Sequence, residues 1–554
     1  MDKRKTVKKR LGGFQSGRLS CLGGAFILLL MFCGIAGAFE IPTGNEDVTW
    51  RWDNTFRYNM GLRLTSPSNA LVLNANMDDG DRNFDKSIVS NRLDILSEMD
   101  VVYRGRYGAR VSAAGWYDNA YEGTLENKSV VTSNHTVNGV AALGINDTTK
   151  FYHRGPNGEI LDAFVFGKFD IGNVPVNLRF GRAATMWGEA LYSATNAIGF
   201  AQVPLDLMKA LSVPGAEVKE LYRPLFNAYM QAQLLENLSM AAQWMLQWEP
   251  NRYPESGSYY SATDMLLTGG ETLIYGPYRF RHADDVQPDG KGDWGLSFRY
   301  TPAYMAGNGA IGFYYRRTSD RNPQVILSPV AGNYFLAYGD GIDIYGMSYT
   351  QRVSSVSLGA EVSYRQNMPL NSNTAASTVR PKEGDLLGPR GKTFHGLINA
   401  IFPYNPPKWT TVDFSTIAME ATWSHWDSVS QGWSLFKGNP AYTAMDRVTD
   451  HNVTFQIGVT PNWYQIINGW DLSMPLSYSV GLYGNSCVAT GGNEHAGSYS
   501  VGIAMDGWSK YNMTLKYSNY YGEYNVGPTG ALNQNNSATM FDRGTLMFTF
   551  KFTL

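Results

Sequence analysis

Charged residues of both signs gather in one long, otherwise small and apolar interval of this sequence, 184–225. Glu189, Asp206, Lys209, Glu217, Lys219 and Arg223 lie there, with Trp187-Gly188-Glu189 near its start and a short helical composition around Pro204–Leu211. Side chains of this kind catalyse little without a nucleophile or a metal. They can, however, attract or reject a solute when they face opposite charges across a gap. Arg51, Arg57, Arg110 and Arg179 on predicted strands are the partners that such an interval would face, and opposed rings of charge set selectivity in pores. The plain alternative is a surface loop whose charges are solvated.

Other chemistry is sparse. Asp78-Asp79-Gly80-Asp81-Arg82-Asn83-Phe84-Asp85 offers hard oxygen ligands for Ca²⁺ but lacks the EF-hand spacing, so it reads as a turn-rich loop. His395, His425 and His451 fall near the same ends of three successive strands, but alternation sends His395 to the opposite face from the other two, so they read as rim residues. There is no G-x-S-x-G, H-E-x-x-H or phosphate loop. The sequence therefore predicts no catalytic set, no metal and no cofactor.

The elements that must position these residues show in a period-2 pattern. From Val48 to Leu64 one face reads Val48, Trp50, Trp52, Asn54, Phe56, Tyr58, Met60, Leu62, Leu64, and the other Thr49, Arg51, Asp53, Thr55, Arg57, Asn59, Gly61, Arg63. The same alternation recurs at 91–104, 238–249, 357–365 and 511–518. It ends in Leu546, Phe548, Phe550, Phe552 and Leu554. Short links near 104–107, 171–174, 234–237, 302–309, 352–355, 403–410, 461–469 and 506–510 alternate with long ones: 65–87, 120–159, 184–225, 250–292, 319–340, 367–391, 426–448, 484–497 and 521–539. Eight short turns and nine long loops predict an all-β transmembrane antiparallel barrel of 18 strands, with 16 acceptable, its short turns periplasmic and its long loops outside. Pro475 falls inside a strand and calls for a bulge. Trp463, Trp470 and Trp508 sit where an aromatic girdle would be.

Composition agrees. Of 554 residues only 17% are charged, and Gly (58), Tyr (34) and Trp (14) are abundant. Seven Lys/Arg precede an apolar run that ends in Ala36-Gly37-Ala38, a small-x-small pattern, so 1–38 reads as a signal peptide and 39–554 as the barrel. Cleavage there reduces 46 Lys/Arg and 48 Asp/Glu to 39 and 47, a net charge of −8 that argues against nucleic-acid binding. Cys487 is then the only cysteine, so no internal disulfide forms. Only Phe39 to Asp47 precedes the first strand, too little for a plug domain.

Several stretches resemble one family: Asp78–Phe84, Ser90-Asn91-Arg92-Leu93-Asp94, Ser112–Asp118, Trp187-Gly188-Glu189, Pro214-Gly215-Ala216-Glu217, Glu361–Arg365 and Asn367-Met368-Pro369-Leu370. It is a proteobacterial outer-membrane β-barrel family known as a domain of unknown function. The resemblance spans nearly the whole mature chain. It implies a porin-like protein, often linked to the metabolism of hydrophobic or aromatic compounds.

The combined reading is an outer-membrane channel for a small molecule, apolar or aromatic, with 184–225 folded inward as a constriction. The expected partners are outer-membrane lipid and lipopolysaccharide, the barrel assembly machinery through the C-terminal strand, the solute itself, and further copies of the chain. Two other classes stay open: a structural or export component of an envelope-spanning assembly, and a membrane-embedded hydrolase. N-terminal sequencing of the mature protein should start at Phe39; a retained residue 1–38 segment refutes the cleavage.

Overall fold

The computed structural model describes residues 39–554 apart from 86, 306–308 and 408. The predicted signal peptide lies outside the described residues.

Alternating residues direct each strand to put one row toward lipid and one toward the interior, and the sheet curls shut. β1 Val48–Arg63, β2 Ile88–Tyr103, β3 Tyr107–Asp118, β4 Asn157–Ile171, β5 Val174–Ala183 and β6 Leu225–Leu235 come first. β7 Leu238–Met245, β8 Trp294–Tyr300, β9 Gly309–Thr318, β10 Ile342–Val353, β11 Val356–Pro369 and β12 Arg390–Tyr404 follow. β13 Phe414–Gln431, β14 His451–Ile467, β15 (Trp470–Ser473 continued by Leu476–Tyr483), β16 Gly497–Gly507, β17 Tyr511–Tyr521 and β18 Thr545–Thr553 complete the set. The result is a closed antiparallel barrel of 18 strands. β18 closes on β1, with Phe56 opposite Phe552 and Tyr58 opposite Phe550. The ladder reaches the last residue, where Leu554 N–H donates to Asn54 O at 2.8 Å.

The faces fall as the alternation dictates. Thr55, Arg57, Asn59 and Arg63 of β1, Arg92 and Glu98 of β2, and Glu361, Ser363 and Arg365 of β11 point inward and are buried. Trp52, Leu93, Ile95, Leu358, Val362, Ile503 and Leu515 point outward and are exposed. An apolar exterior on a closed barrel leaves no backbone group unpaired in lipid. Near the short turns, Trp470 packs on Trp508 with ring centroids 5.3 Å apart, and Tyr511 stacks on Phe552 at 5.3 Å, as a girdle requires.

Three local readings are revised. Alternation runs on to Glu249, but β7 stops at Met245. Trp248 instead turns into a loop core with Leu273, Phe280, Tyr334 and Tyr338, which buries its ring better than the strand edge would. Pro475 has no bulge. Ser473 pairs with Ala504 and Leu476 with Val501, so the register is unbroken across it. The Pro475 carbonyl still accepts from Gly502 N–H at 2.9 Å, so the proline forfeits only the bond its own missing N–H would have made. His395 is not at a rim: it is fully buried inside, whereas His425 and His451 stack outside with ring centroids 4.6 Å apart.

The long loops form an ordered cap. Segments Thr272–Tyr275, Tyr278–His282, Gln324–Ser328, Asn333–Ala337 and Ala375–Ala376 from three loops make a five-stranded sheet. Its apolar side chains cluster around Ile326, Phe335 and Leu336. The acidic run becomes a short helix, Asp79–Asn83, whose carboxylates take separate protein partners. Asp78 pairs with Arg82, Asp81 with Arg63 at 2.6 Å and with Arg543, and Asp79 accepts from Asn134 N–H at 2.8 Å. These contacts tie the first loop to the second and last ones.

The cap also buries acids without full compensation. Burial pushes Asp79 up to about 7, against the Asn134 and Ser133 hydrogen bonds, and the neighbouring Asp78 adds to the rise. Burial likewise pushes Glu255 up to about 7 and Asp264, which faces Asp79 and Asp78, well above the carboxylate range. A free carboxyl loses its proton near pH 4, so the contribution of these three acids to cap stability is greatest below that value and falls as pH rises toward 7. The change is on the order of a few kcal/mol. Limited proteolysis of intact protein should cut the 246–293 loop more slowly at pH 5 than at pH 8; equal or reversed rates contradict this.

Candidate functional site

Between β5 and β6 the chain does not loop outward but crosses the barrel interior. A peptide placed there carries N–H and C=O groups that need partners, because burying them unpaired costs free energy. The wall supplies both kinds. Glu361 of β11 accepts from the N–H groups of Glu189, Ala190 (3.0 Å) and Ile198 (2.6 Å). Glu420 of β13 accepts from Leu191 (2.7 Å), Tyr192 (3.2 Å) and Ser193 (2.7 Å). Arginines hold the carbonyls: Arg316 of β9 donates to Ile198 O (2.9 Å) and Phe200 O (2.7 Å), and Arg365 to Ala197 O (2.9 Å). His395 Nδ1 and Asn196 Oδ1 lie 2.8 Å apart, and Asn399 donates to Glu189 O at 2.7 Å.

Two glycines make the approach possible. Gly188 has φ +105°, and a Cβ there would strike the Glu361 carboxylate. Gly346 on the wall leaves room for Ile198, whose nearest carbon would lie 2.7 Å from an added Cβ.

The second half of the crossing reaches the opposite wall. Val218–Leu221 is one helical turn, and within it Glu220 pairs with Arg57 of β1 at 2.6 Å, both buried. Lys219 pairs with Glu98 of β2 and lies 3.2 Å from Glu217. Lys551 of β18 reaches Glu217 at 3.3 Å. The segment therefore bridges from β8–β13 on one side to β18–β2 on the other.

The predicted residues separate into two groups. Asp206 caps the helix Leu207–Ser212 and binds Arg252 at 2.8 Å, Lys209 lies 3.6 Å from Glu159, and Arg223 binds Glu249. Asp206 and Lys209 are buried, so they fasten the segment rather than face the open lumen. Glu189, Glu217 and Lys219 remain partly open. Glu189 meets Arg299 of β8 at 2.9 Å, and the Arg299 side chain is 45% exposed. Of the four wall arginines only Arg57 touches the segment directly. Arg110 joins through Glu98, which it shares with Lys219, and also binds Asp100 at 2.8 Å. Arg51 stays near the short-turn end beside Asp53 at 3.5 Å. Arg179 packs over the Phe164 ring at 4.8 Å and near Tyr229 at 5.9 Å.

Sequence reasoning left out Glu361, Glu420, Arg316, Arg299, Asn399 and Glu220. Glu361 was already visible as an inward-facing acid in the β11 alternation. What no local signal shows is that its lone pairs are spent on main chain 160 residues or more away.

A closed barrel with a lipid-facing apolar surface, a polar inner wall and one loop folded across it is an outer-membrane β-barrel of porin-like type. The chain belongs to the family described as protein of unknown function DUF1302, whose model matches residues 20–554. Its residence is the outer membrane. Acinetobacter baumannii OccAB2 is a similar solved structure, with 11% identity over 94% of this chain and 99% of that one and a TM-score of 0.42. A BenF-like porin from Pseudomonas fluorescens Pf-5 gives 10% identity over 92% and 99%, with a TM-score of 0.40. No curated protein matches the chain.

Hydrogen bonds to a charged acceptor contribute roughly 1.5–3 kcal/mol each. Replacing Glu361 and Glu420 together by Ala should therefore raise hydrogen exchange at the amides of 189–198 by at least roughly tenfold while the barrel strands stay protected. Unchanged protection at those amides would show that other contacts hold the segment.

Proposed function

We propose that this barrel is a channel for small molecules and that the crossing segment, 184–225, sets its bore and preference. The observation that carries this is the anchoring of that segment to both walls of a barrel wide enough to leave an aqueous lumen without it. Glu189, Glu217 and Lys219 on the segment, with Arg110 and Arg179 on the wall, are the proposed solute-facing set. Arg57, Asp206, Lys209 and Arg223 fix its position, and Arg51 guards the periplasmic mouth. An apolar or aromatic solute suits a lumen in which Phe164 and Tyr229 lie close to Arg179. In the same reading, lipopolysaccharide meets the outward belt, the assembly machinery receives the C-terminal strand, and further copies pack on the lipid-facing wall.

Reconstituted into planar bilayers, the protein should give discrete conductance steps, and Glu361→Ala/Glu420→Ala should enlarge them and make them noisier. Folded protein that neither conducts nor speeds solute entry into liposomes overturns the channel.

A further inference from the structure

The crossing segment does not meet the wall evenly. Glu420 of β13 holds it at Leu191–Ser193, and Lys551 of β18 holds it at Glu217. Between those two strands lie β14–β17. With neighbouring strands about 4.8 Å apart, the five steps from β13 to β18 make an arc of roughly 24 Å. At the edge of this arc the side chains of Leu191 and Tyr192 stay 37% and 39% exposed, although the segment they belong to is enclosed by the barrel. The Tyr192 hydroxyl points at β14, 2.9 Å from where a Cβ on Gly458 would stand.

Burial of the inner wall changes at the same boundaries. Ser363 of β11, Thr393 of β12 and Glu420 are buried on one side, and Thr549 of β18 and Asn59 of β1 on the other. On β14–β17 the inward Thr454, Gln456, Ser477, Ser500, Thr514 and Lys516 keep accessible surface. Register fixes their direction: Gln456 pairs with Glu420, Gly458 with Ser477, Ser477 with Ser500, and Thr514 with Thr549.

The chemistry of the arc differs as well. Ser477 and Ser500 share a hydrogen bond at 2.7 Å, and Ser479 and Ser498 share one at 2.9 Å. These side chains are short and uncharged, so they leave space, and their hydroxyls still offer donors and acceptors to what passes. Long charged side chains grip the segment elsewhere. Here Lys516 carries a charge midway along β17, and Asp471 and Asp506 stand at the periplasmic ends.

We propose that solute crosses the barrel through this arc, between Tyr192 and the hydroxyl-rich wall of β14–β17, and that Tyr192 set against Gly458 determines its width. The inference rests on the channel reading and deepens it by placing the bore on one side of the segment. Glycine at 458 cuts the wall back where the Tyr192 ring points, since any Cβ there would press on the hydroxyl.

Planar-bilayer recording of the full chain tests this with cysteines in a Cys487→Ser background. The reagent is 2-(trimethylammonium)ethyl methanethiosulfonate. It should cut the conductance of Ser500→Cys by at least about half. It should change that of Gln231→Cys little, because Gln231 is an exposed inward residue of β6, outside the arc. Gly458→Trp should likewise cut conductance by at least about half, and Tyr192→Ala should raise it. Unchanged current in modified Ser500→Cys, wild-type conductance in Gly458→Trp, or block confined to Gln231→Cys overturns the proposal. Heat-modifiable migration on gels reports folding. If Gly458→Trp does not fold, Ser500→Cys and Tyr192→Ala decide the outcome. A conducting wild type whose current ignores changes in the arc removes the route alone, and a silent wild type removes the channel.

Discussion

Everything inside this barrel depends on how a stretch of main chain is kept from leaving the lumen. The answer is a pair of carboxylates. Glu361 accepts the N–H groups of Glu189, Ala190 and Ile198, Glu420 those of Leu191, Tyr192 and Ser193, while Arg316 and Arg365 donate to the segment's carbonyls. Acid takes amides and base takes carbonyls, so the polarity of the wall matches the polarity of the peptide. Side chains on the segment need only be small or suitably shaped at the points of contact. Gly188 and Ile198, set against Glu361 and Gly346, show this.

That arrangement requires a rigid wall, and closure provides it. Glu361 and Glu420 sit on strands separated by β12, and both must hold their height to within a fraction of a hydrogen bond. The register, continuous from Ser357 to Arg365 on β11 and from Thr393 to Tyr404 on β12, provides that precision: Glu361 pairs with Leu397, and Asn399 with Glu420. Asn399 then lies between the two acids and adds its own bond to Glu189 O. Even Pro475, on the far side, leaves the register untouched: its carbonyl keeps the bond from Gly502 N–H, and only the bond of its own missing donor is lost.

The fold was legible in the sequence because it rests on a period. Outward Leu515 and inward Lys516 can be told apart with no knowledge of their neighbours. Strand number followed from the alternation of short and long links and from the need for both ends to lie on one side. Where tertiary packing outbids the period, the reading slipped. Trp248 continues the β7 alternation in sequence but finds a loop core in space. The crossing segment was legible as a mixture of charged and apolar residues, but its contacts were not. Charge complementarity pointed to arginine partners such as Arg51 and Arg179, yet the decisive acceptors are glutamates that bind backbone. Backbone groups are the same at every position, so no residue pattern announces them.

The same distinction sorts the lumen charges by what they are free to do. A charge already satisfied by main chain or by a buried partner, such as Glu361, Glu420, Arg57 or Asp206, cannot turn toward a solute without releasing the segment. One held in a looser, half-exposed pair, such as Arg299 with Glu189 or Lys219 with Glu217, exchanges partners at little cost, because exposed ion pairs contribute at most about 1 kcal/mol. Loose and fixed charges are thus different residues of the same segment. Its composition can drift at the exposed positions without loosening the crossing, whereas a change at Glu361, Glu420 or Gly188 removes or blocks the contacts that hold it.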